Sequence, residues 1–225
     1  MKKALLLVQV LLFILPWPIR KMALSNVFGF SLGKGAKIGF SIISSKSVFL
    51  GANAKIGHLC VINGLDSLNL DKYAFIGNLN WISGFPNGTN SPHYKDEIDR
   101  SAALTIGEHS AITSRHLIDC TGGVFIGRFS TFAGFRSQIL THSIDIPSSR
   151  QRSKPVKVGD YCFIGTTCVL LPGSTLPNYS VLAAHSLLLK GHVLEYMLYA
   201  GSPAKSIKKL DVNSLYFSRK SGFVT

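Results

Sequence analysis

An all-β solenoid is the fold class this sequence predicts, and three observations predict it. An aliphatic residue returns every six positions at Val158, Ile164, Leu170, Leu176, Leu182 and Leu188. The fifth position of each hexad is small: Cys162, Cys168, Ser174, Ser180 and Ser186. The same register recurs upstream, with glycine often following the aliphatic, as at Ile38-Gly39, Ile56-Gly57 and Ile76-Gly77. A period of six fits neither a helix nor a flat strand, whose periods are 3.6 and 2. It fits a coil of short sides whose aliphatics stack inward and whose small residues sit at the corners. An ordinary β-sandwich is the competing all-β reading, but consecutive matching hexads over 158–187 are not expected of it.

Taken in order, the first element is an apolar segment. Ala4 to Ile19 reads ALLLVQVLLFILPWPI, between Lys2-Lys3 and Arg20-Lys21. It is broken by Pro16 and Pro18 and is short of the roughly 20 residues that span a bilayer. Trp-Pro-Ile-Arg-Lys is a poor secretory cleavage site. Basic flanks on both sides keep both ends on the cytoplasmic side. Residues 1–24 therefore read as an apolar helix on the membrane surface, with Trp17 at the headgroup level. A signal peptide, a true span and a helix docked on the solenoid are the other readings.

Residues 25–205 read as the solenoid. Leu32, Ile38, Leu50, Ile56 and Ile62 share one grid, with Ser44 its polar entry; Leu68 ends it. A two-residue slip restarts the grid at Leu70, Ile76 and Ile82. It resumes at Ile106, Ile112, Ile118 and Val124, then slips to Ile126 and Phe132. Glycine is expected at these positions because it tolerates the backbone angles of tight corners. Slips and insertions map to loops on one face, often the binding face. The insertion 83–103 is long enough to be functional or disordered. Trp81, Phe85, His93 and Tyr94, in and beside it, are candidates to stack on a sugar ring. Residues 206–225 leave the repeat and read as a basic cap over an otherwise open sheet edge.

Composition narrows the function classes. Hydrophobic residues make up 46% of the 225, which supports a substantial core, and the length does not demand a second domain. The four cysteines form no CxxC pair, so neither a zinc site nor a redox motif is signalled. Cys162 and Cys168 occupy equivalent repeat positions and read as small corner residues. Reduced cysteines agree with a cytosolic compartment. The net charge of +13 suits nucleic acid, anionic lipid or a phosphorylated cofactor. No nucleic-acid signature accompanies it, because the aromatics are not interleaved with the basic residues.

The hexads, the segment Thr141-His142-Ser143-Ile144-Asp145 and the closing Gly201-Ser202-Pro203-Ala204-Lys205 together resemble the hexapeptide-repeat acyltransferases. Within them the likeness is to galactoside, maltose and serine O-acetyltransferases and to polysaccharide-modifying acetyltransferases. The resemblance spans about residues 30 to 210. It implies a left-handed parallel β-helix, usually a homotrimer, that uses acetyl-CoA and no metal. The left hand rests on the resemblance alone, since parallel crossovers are normally right-handed.

Acyl transfer from a thioester to a hydroxyl needs a base, an oxyanion environment and two substrates held together. No G-x-S-x-G elbow suggests a nucleophilic serine. Of the seven histidines, His142 matches the catalytic position that the resemblance implies. A neutral imidazole titrates close to the working pH. Asp145, three residues on, either orients the other ring nitrogen or is a solvated loop carboxylate. Arg115, His116 and Asp119 are read as sugar-binding residues, with His116 facing outward, or as a solvated face. Trp81 is added to the acceptor site. The resemblance places acetyl-CoA against Gly165, Ala183, Ala184 and Ser186, with Lys190 and Lys205 meeting phosphates. His185 and Leu188-Leu189-Lys190-Gly191 depart from the family pattern. The expected function is O-acetylation of a sugar in surface-polysaccharide or lipid-linked glycan synthesis, at the inner face of the membrane. The competing enzymes are an amino-sugar N-acetyltransferase and a serine acetyltransferase. A zinc hydratase on the same fold lacks its close histidine pair. A non-catalytic scaffold would not need both His142 and the closing motif.

Overall fold

The computed structural model describes residues 2–222 and 224, with side chains from residue 6 onward; the flanking Lys2 and Lys3 side chains lie outside the described residues. Inward aliphatics stack coil upon coil, and the chain is a left-handed parallel β-helix with a helical N-terminal segment. One sheet of nine strands, parallel except for its last, forms a single side, from Lys37–Ile38 to the closing strands. A twelve-stranded sheet covers the other two sides. It is continuous around one corner because Ile42–Leu50 and Val61–Leu70 run through that corner without a break. We call the side with Leu50, Leu70 and Ile106 the first, the nine-stranded sheet the second, and the side with Ile62, Ile82 and Ile118 the third. The inward rows are fully packed: Ile56, Ile76, Ile112 and Ile164 on the second side are all buried.

Several expectations about the repeat are corrected. Ile43, not Ser44, points inward: Ile43 pairs with Ile62 and is buried, while Ser44 pairs with Asn63. The hexad is one residue short there. The two-residue slips are not breaks either. Leu68 aligns with Leu104, and Val124 with Leu104 and Val156, forming a second inward row beside Leu70, Ile106, Ile126 and Val158. Residues i and i+2 of one strand share a face, so both rows are inside. The glycines after the aliphatics do not supply unusual angles. A Cβ on Gly165 would lie 2.5 Å from the Ala184 nitrogen, and one on Gly39 2.4 Å from the Gly57 oxygen. They are needed because adjacent coils approach closely. The left-handed corner angles fall instead on Tyr73, His109, Phe129, Tyr161, Tyr179 and Tyr196, with φ between 54° and 59°. These rings stack at centroid spacings of 4.6 to 5.4 Å. That stacking offsets part of the cost of the left-handed backbone.

The small corner residues are buried, and the four cysteines are free thiols in this setting. The sulfurs of Cys60, Cys162 and Cys168 donate to backbone carbonyls of the next coil, as from Cys162 to Pro177 at 2.9 Å.

The N-terminal segment is not one surface helix. Pro16 divides it into α1 (Lys2–Leu11), a short 3-10 turn and α2 (Trp17–Asn26), and both helices dock on the first coil. Gln9 is buried and bonds the Ile43 N–H and carbonyl at 2.9 and 2.7 Å. Its amide thus replaces the missing neighbouring strand at the open edge. Arg20 is also buried; it donates to Gly39 O at 2.7 Å and lies over Phe13, Trp17 and Phe40. Among the described residues no helix is long and apolar enough to cross a membrane.

At the other end, Ala204–Lys209 pairs antiparallel with Met197–Gly201 and covers the last edge, so the sheet runs four residues beyond the expected boundary at 205. The tail then turns back over the aromatic corner. Phe217 packs edge-on against Tyr179 and Tyr196, and Arg219 lies over Tyr161.

Candidate active site

The hairpin that carries His142 leaves the corner between the third and first sides. Its strands are His142–Asp145 and Arg150–Ser153, paired antiparallel. One coil earlier, Ile118 stacks on Ile139, which sets Asp119 beside Thr141 and His142. His142 Nδ1 lies 2.8 Å from Asp119 Oδ2. The same carboxylate accepts from Thr141 N at 2.8 Å and from the Thr141 and Thr121 hydroxyls, each at 2.6 Å. Asp119 is only 11% exposed at its side chain. Burial alone would raise its pKa; the hydrogen bonds from His142, Thr121 and Thr141 outweigh that and hold it well below the usual carboxylate range. An ionised Asp119 fixes the proton on Nδ1 and leaves the Nε2 lone pair for a substrate. The bond to Asp119 raises the His142 pKa, against the opposing effect of burial. The His142 side chain is 40% exposed and no described protein group bonds Nε2.

Asp145 does not orient His142. It faces Ser148, accepting from its N–H and hydroxyl in the hairpin turn. His116 does not face outward. It is 1% exposed and occupies the small-residue corner row, between Asn80 and Ser137. Ser137 N–H donates to Nδ1, so the proton is on Nε2, shared with the Thr113 hydroxyl at 2.9 Å. Burial pushes its pKa down to about 4 and keeps it neutral. His116 is thus a satisfied core histidine with no access to a sugar.

The insertion 83–103 clamps the hairpin. Glu97 accepts from Ser153 N at 2.9 Å and from its hydroxyl, and Asp96 pairs with Arg152. Tyr94 is buried against the His142 ring, edge-on at 6.4 Å between centroids, and its hydroxyl donates to Gln151. Burial, the nearby Asp119 and Glu97 charges push its hydroxyl up to about 12, so it stays protonated. Phe85 and His93 pack beside Tyr94. A cavity of about 560 Å³ opens between the insertion and the hairpin, with His93, Tyr94 and Arg150 in its wall. A second, of about 470 Å³, reaches His142 from the other flank along Leu140, Leu171 and Leu189.

The remaining predicted residues divide by location. Trp81 stands on the outer surface of the third side, paired with Val61 and Leu117, and is not in either cavity wall. Arg115, Ala183 and Ala184 lie at the corner between the second and third sides, away from His142 in the same chain. Gly165 and Ser186 at that corner are buried; Ser186 Oγ accepts from Gly201 N. They can support a ligand only through the corner they build. Ala184, His185 and Lys205 are exposed there, and Lys190 follows Leu189 on the His142 corner, also exposed. Among the described residues no group of three His, Cys, Asp or Glu is placed to hold a metal ion. Sequence reasoning missed that Asp119 orients His142 and that Thr121 and Thr141 support it. Coil register was the available signal, since Ile118 and Ile139 are equivalent inward positions.

No protein-family model matches the chain, and no curated protein matches it. Solved structures do. An N-acyltransferase from Bacillus cereus, AntD, bound to dTDP and 3-hydroxybutyryl-CoA, superposes with a TM-score of 0.53 at 14% identity, covering 88% of this chain and 92% of that one. A hexapeptide-repeat-containing acetyltransferase from Vibrio cholerae has a TM-score of 0.47 at 18% identity, over 93% and 92% of the two chains. The polysialic acid O-acetyltransferase OatWY has a TM-score of 0.49 at 19% identity, over 80% and 88%. The fold is therefore that of the hexapeptide-repeat β-helix proteins. More narrowly, it is the fold on which hexapeptide-repeat acyltransferases are built.

Proposed function

We propose that this protein is an acetyl-CoA-dependent O-acetyltransferase that acetylates a sugar hydroxyl. Its acceptor is a surface polysaccharide or lipid-linked glycan precursor at the cytoplasmic face of the membrane. The observation that carries the reading is the Asp119–His142 pair, with Nδ1 committed to the carboxylate and Nε2 left unbonded by the described residues, beside the cavity of about 470 Å³ that His142 itself lines. Nε2 takes the proton of the acceptor hydroxyl as its oxygen attacks the thioester carbonyl. The carbon–sulfur bond then breaks, and His142 returns that proton to the departing CoA thiolate. Asp119 stabilises the imidazolium between these steps. Tyr94, neutral and fixed by Gln151, packs the imidazole from the side of the insertion.

The residues available for acetyl-CoA support an assembly of copies. Ala184 and Lys205 stand at one corner, and His142 and Lys190 at another. A second copy laying its Ala184 corner along the Leu140–Leu171–Leu189 groove completes the site, and a homotrimer closes that arrangement. The test is release of free CoA thiol from acetyl-CoA with a panel of sugars, amino sugars and serine. A hydroxyl acceptor that supports turnover by wild type and not by His142→Ala establishes the reading. Turnover with amines alone replaces it by N-acetylation. No acetyl-CoA binding in either protein, by calorimetry, overturns it.

A further inference from the structure

We propose that the N-terminal helical cap is a foot that docks on an anionic lipid bilayer and holds the solenoid upright, so that acetylation falls on a sugar well above the lipid surface. The inner face of the cap is committed to the solenoid through Gln9, Arg20 and Leu24. Its outer face is apolar and uncovered: Leu7 and Leu11 are each 67% exposed, Ile14 87% and Met22 60%. Water-exposed aliphatics on this scale, gathered on one helical pair, mark an interaction surface.

Charge selects the occupant. Residues 1–65 contain eight Lys and Arg and no Asp or Glu; the first acidic residue is Asp66. Lys34, Lys37 and Lys55 are exposed on the first two coils, next to the cap. Lys46 is paired with Asp66 and Arg20 is buried, but Lys34, Lys37 and Lys55 have no acidic partner among the described residues, and an apolar face beside such cations fits a bilayer carrying anionic headgroups. A second copy of the same cationic end would meet charge repulsion.

The solenoid then acts as a spacer. From the strand Ile42–Leu50 that the cap covers, four strand steps lead through Val61–Leu70, Trp81–Ser83 and Leu117–Asp119 to Gln138–Ile139, just before His142. At about 4.8 Å per step the base stands roughly 20 Å above the first coil. A sugar attached directly to lipid lies too low; a lipid-linked glycan must be several sugars long to reach His142. This last step rests on the acetyltransferase reading, whereas the docking does not.

The test uses the full chain with vesicles of phosphatidylcholine, with or without phosphatidylglycerol. Wild type is expected to sediment with the anionic vesicles, and raised salt to weaken the binding. Leu11→Glu/Ile14→Glu is expected to bind at least tenfold less while keeping its melting temperature. If that variant is unstable, Lys34→Glu/Lys37→Glu provides the same comparison. Equal sedimentation of the variants, or self-association through this face without vesicle binding, overturns the proposal. All four native cysteines are buried, so one added thiol can be labelled selectively. With energy-accepting lipids, a dye on Asn26→Cys is expected to transfer strongly and one on Ser143→Cys much less. Equal transfer overturns the upright orientation. Unchanged turnover of a soluble acceptor by the Leu11/Ile14 variant separates loss of docking from loss of the acyltransferase.

Discussion

Three side chains that look equivalent in sequence have separate roles set by their partners. His142 is half open and bonded to a buried carboxylate; His116 is sealed and neutral; Asp145 only closes a turn. We expect His142→Ala to lower turnover by about 10²- to 10⁴-fold, the usual share of a general base. Asp145→Ala is expected to change it less than twofold. Because Asp119 raises the His142 pKa, the acid limb of kcat/KM for wild type is expected above the ordinary histidine value of about 6.5. Asp119→Asn removes that charge, so the limb shifts to lower pH and the rate falls. A limb that does not move would separate Asp119 from the base. Asp119 was legible as a site residue but not as the partner of His142, because 23 positions of chain separate them. Their proximity exists only once one coil is laid on the next.

Elements are held by contacts that the hexads do not encode. The insertion interrupts the repeat in sequence, yet in the structure it grips the hairpin through Glu97, Asp96 and Tyr94. Glu97→Ala is expected to raise the acceptor KM while acetyl-CoA binding is kept, as read by steady-state kinetics and calorimetry. Equal loss of both would mean that the clamp serves the fold alone. Gly165→Ala tests the close approach of coils. A Cβ meets backbone at 2.5 Å, and the strain should cost about 1–3 kcal/mol, seen as a lower melting temperature. The repeat made an aliphatic inside and a small corner predictable. It did not reveal why glycine is required, because the clash lies between coils rather than within one.

For the whole molecule, acid stability should be dominated by two buried groups. The folded His116 pKa, about 4, lies below its unfolded value near 6.5. Its contribution is therefore full above pH 6.5 and is lost as pH falls toward 4, about 3 kcal/mol in all. Asp119, also depressed, contributes above pH 4 and loses its contribution below that. His142 has the opposite sign: its contribution is present below 6.5 and fades as pH rises through its raised folded value. Thermal melts are expected to fall steeply between pH 6.5 and 4. His116→Ser, the residue type of that corner row, should flatten the fall. Assembly is tested by mixing His142→Ala with Ala184→Trp after co-refolding. Activity that neither variant has alone is expected if each site draws on two copies.

By itself the sequence determined the coil, most of its main inward row and its small corners, because each follows from a local period that every copy repeats, and a motif resemblance singled out the candidate base. Only the tertiary structure decided which carboxylate faces His142, that His116 is sealed inside, and that the apolar N-terminus folds back as a cap with an uncovered outer face. Those outcomes depend on register between coils and on which edge is left unpaired. Neither is a property of any short stretch of chain.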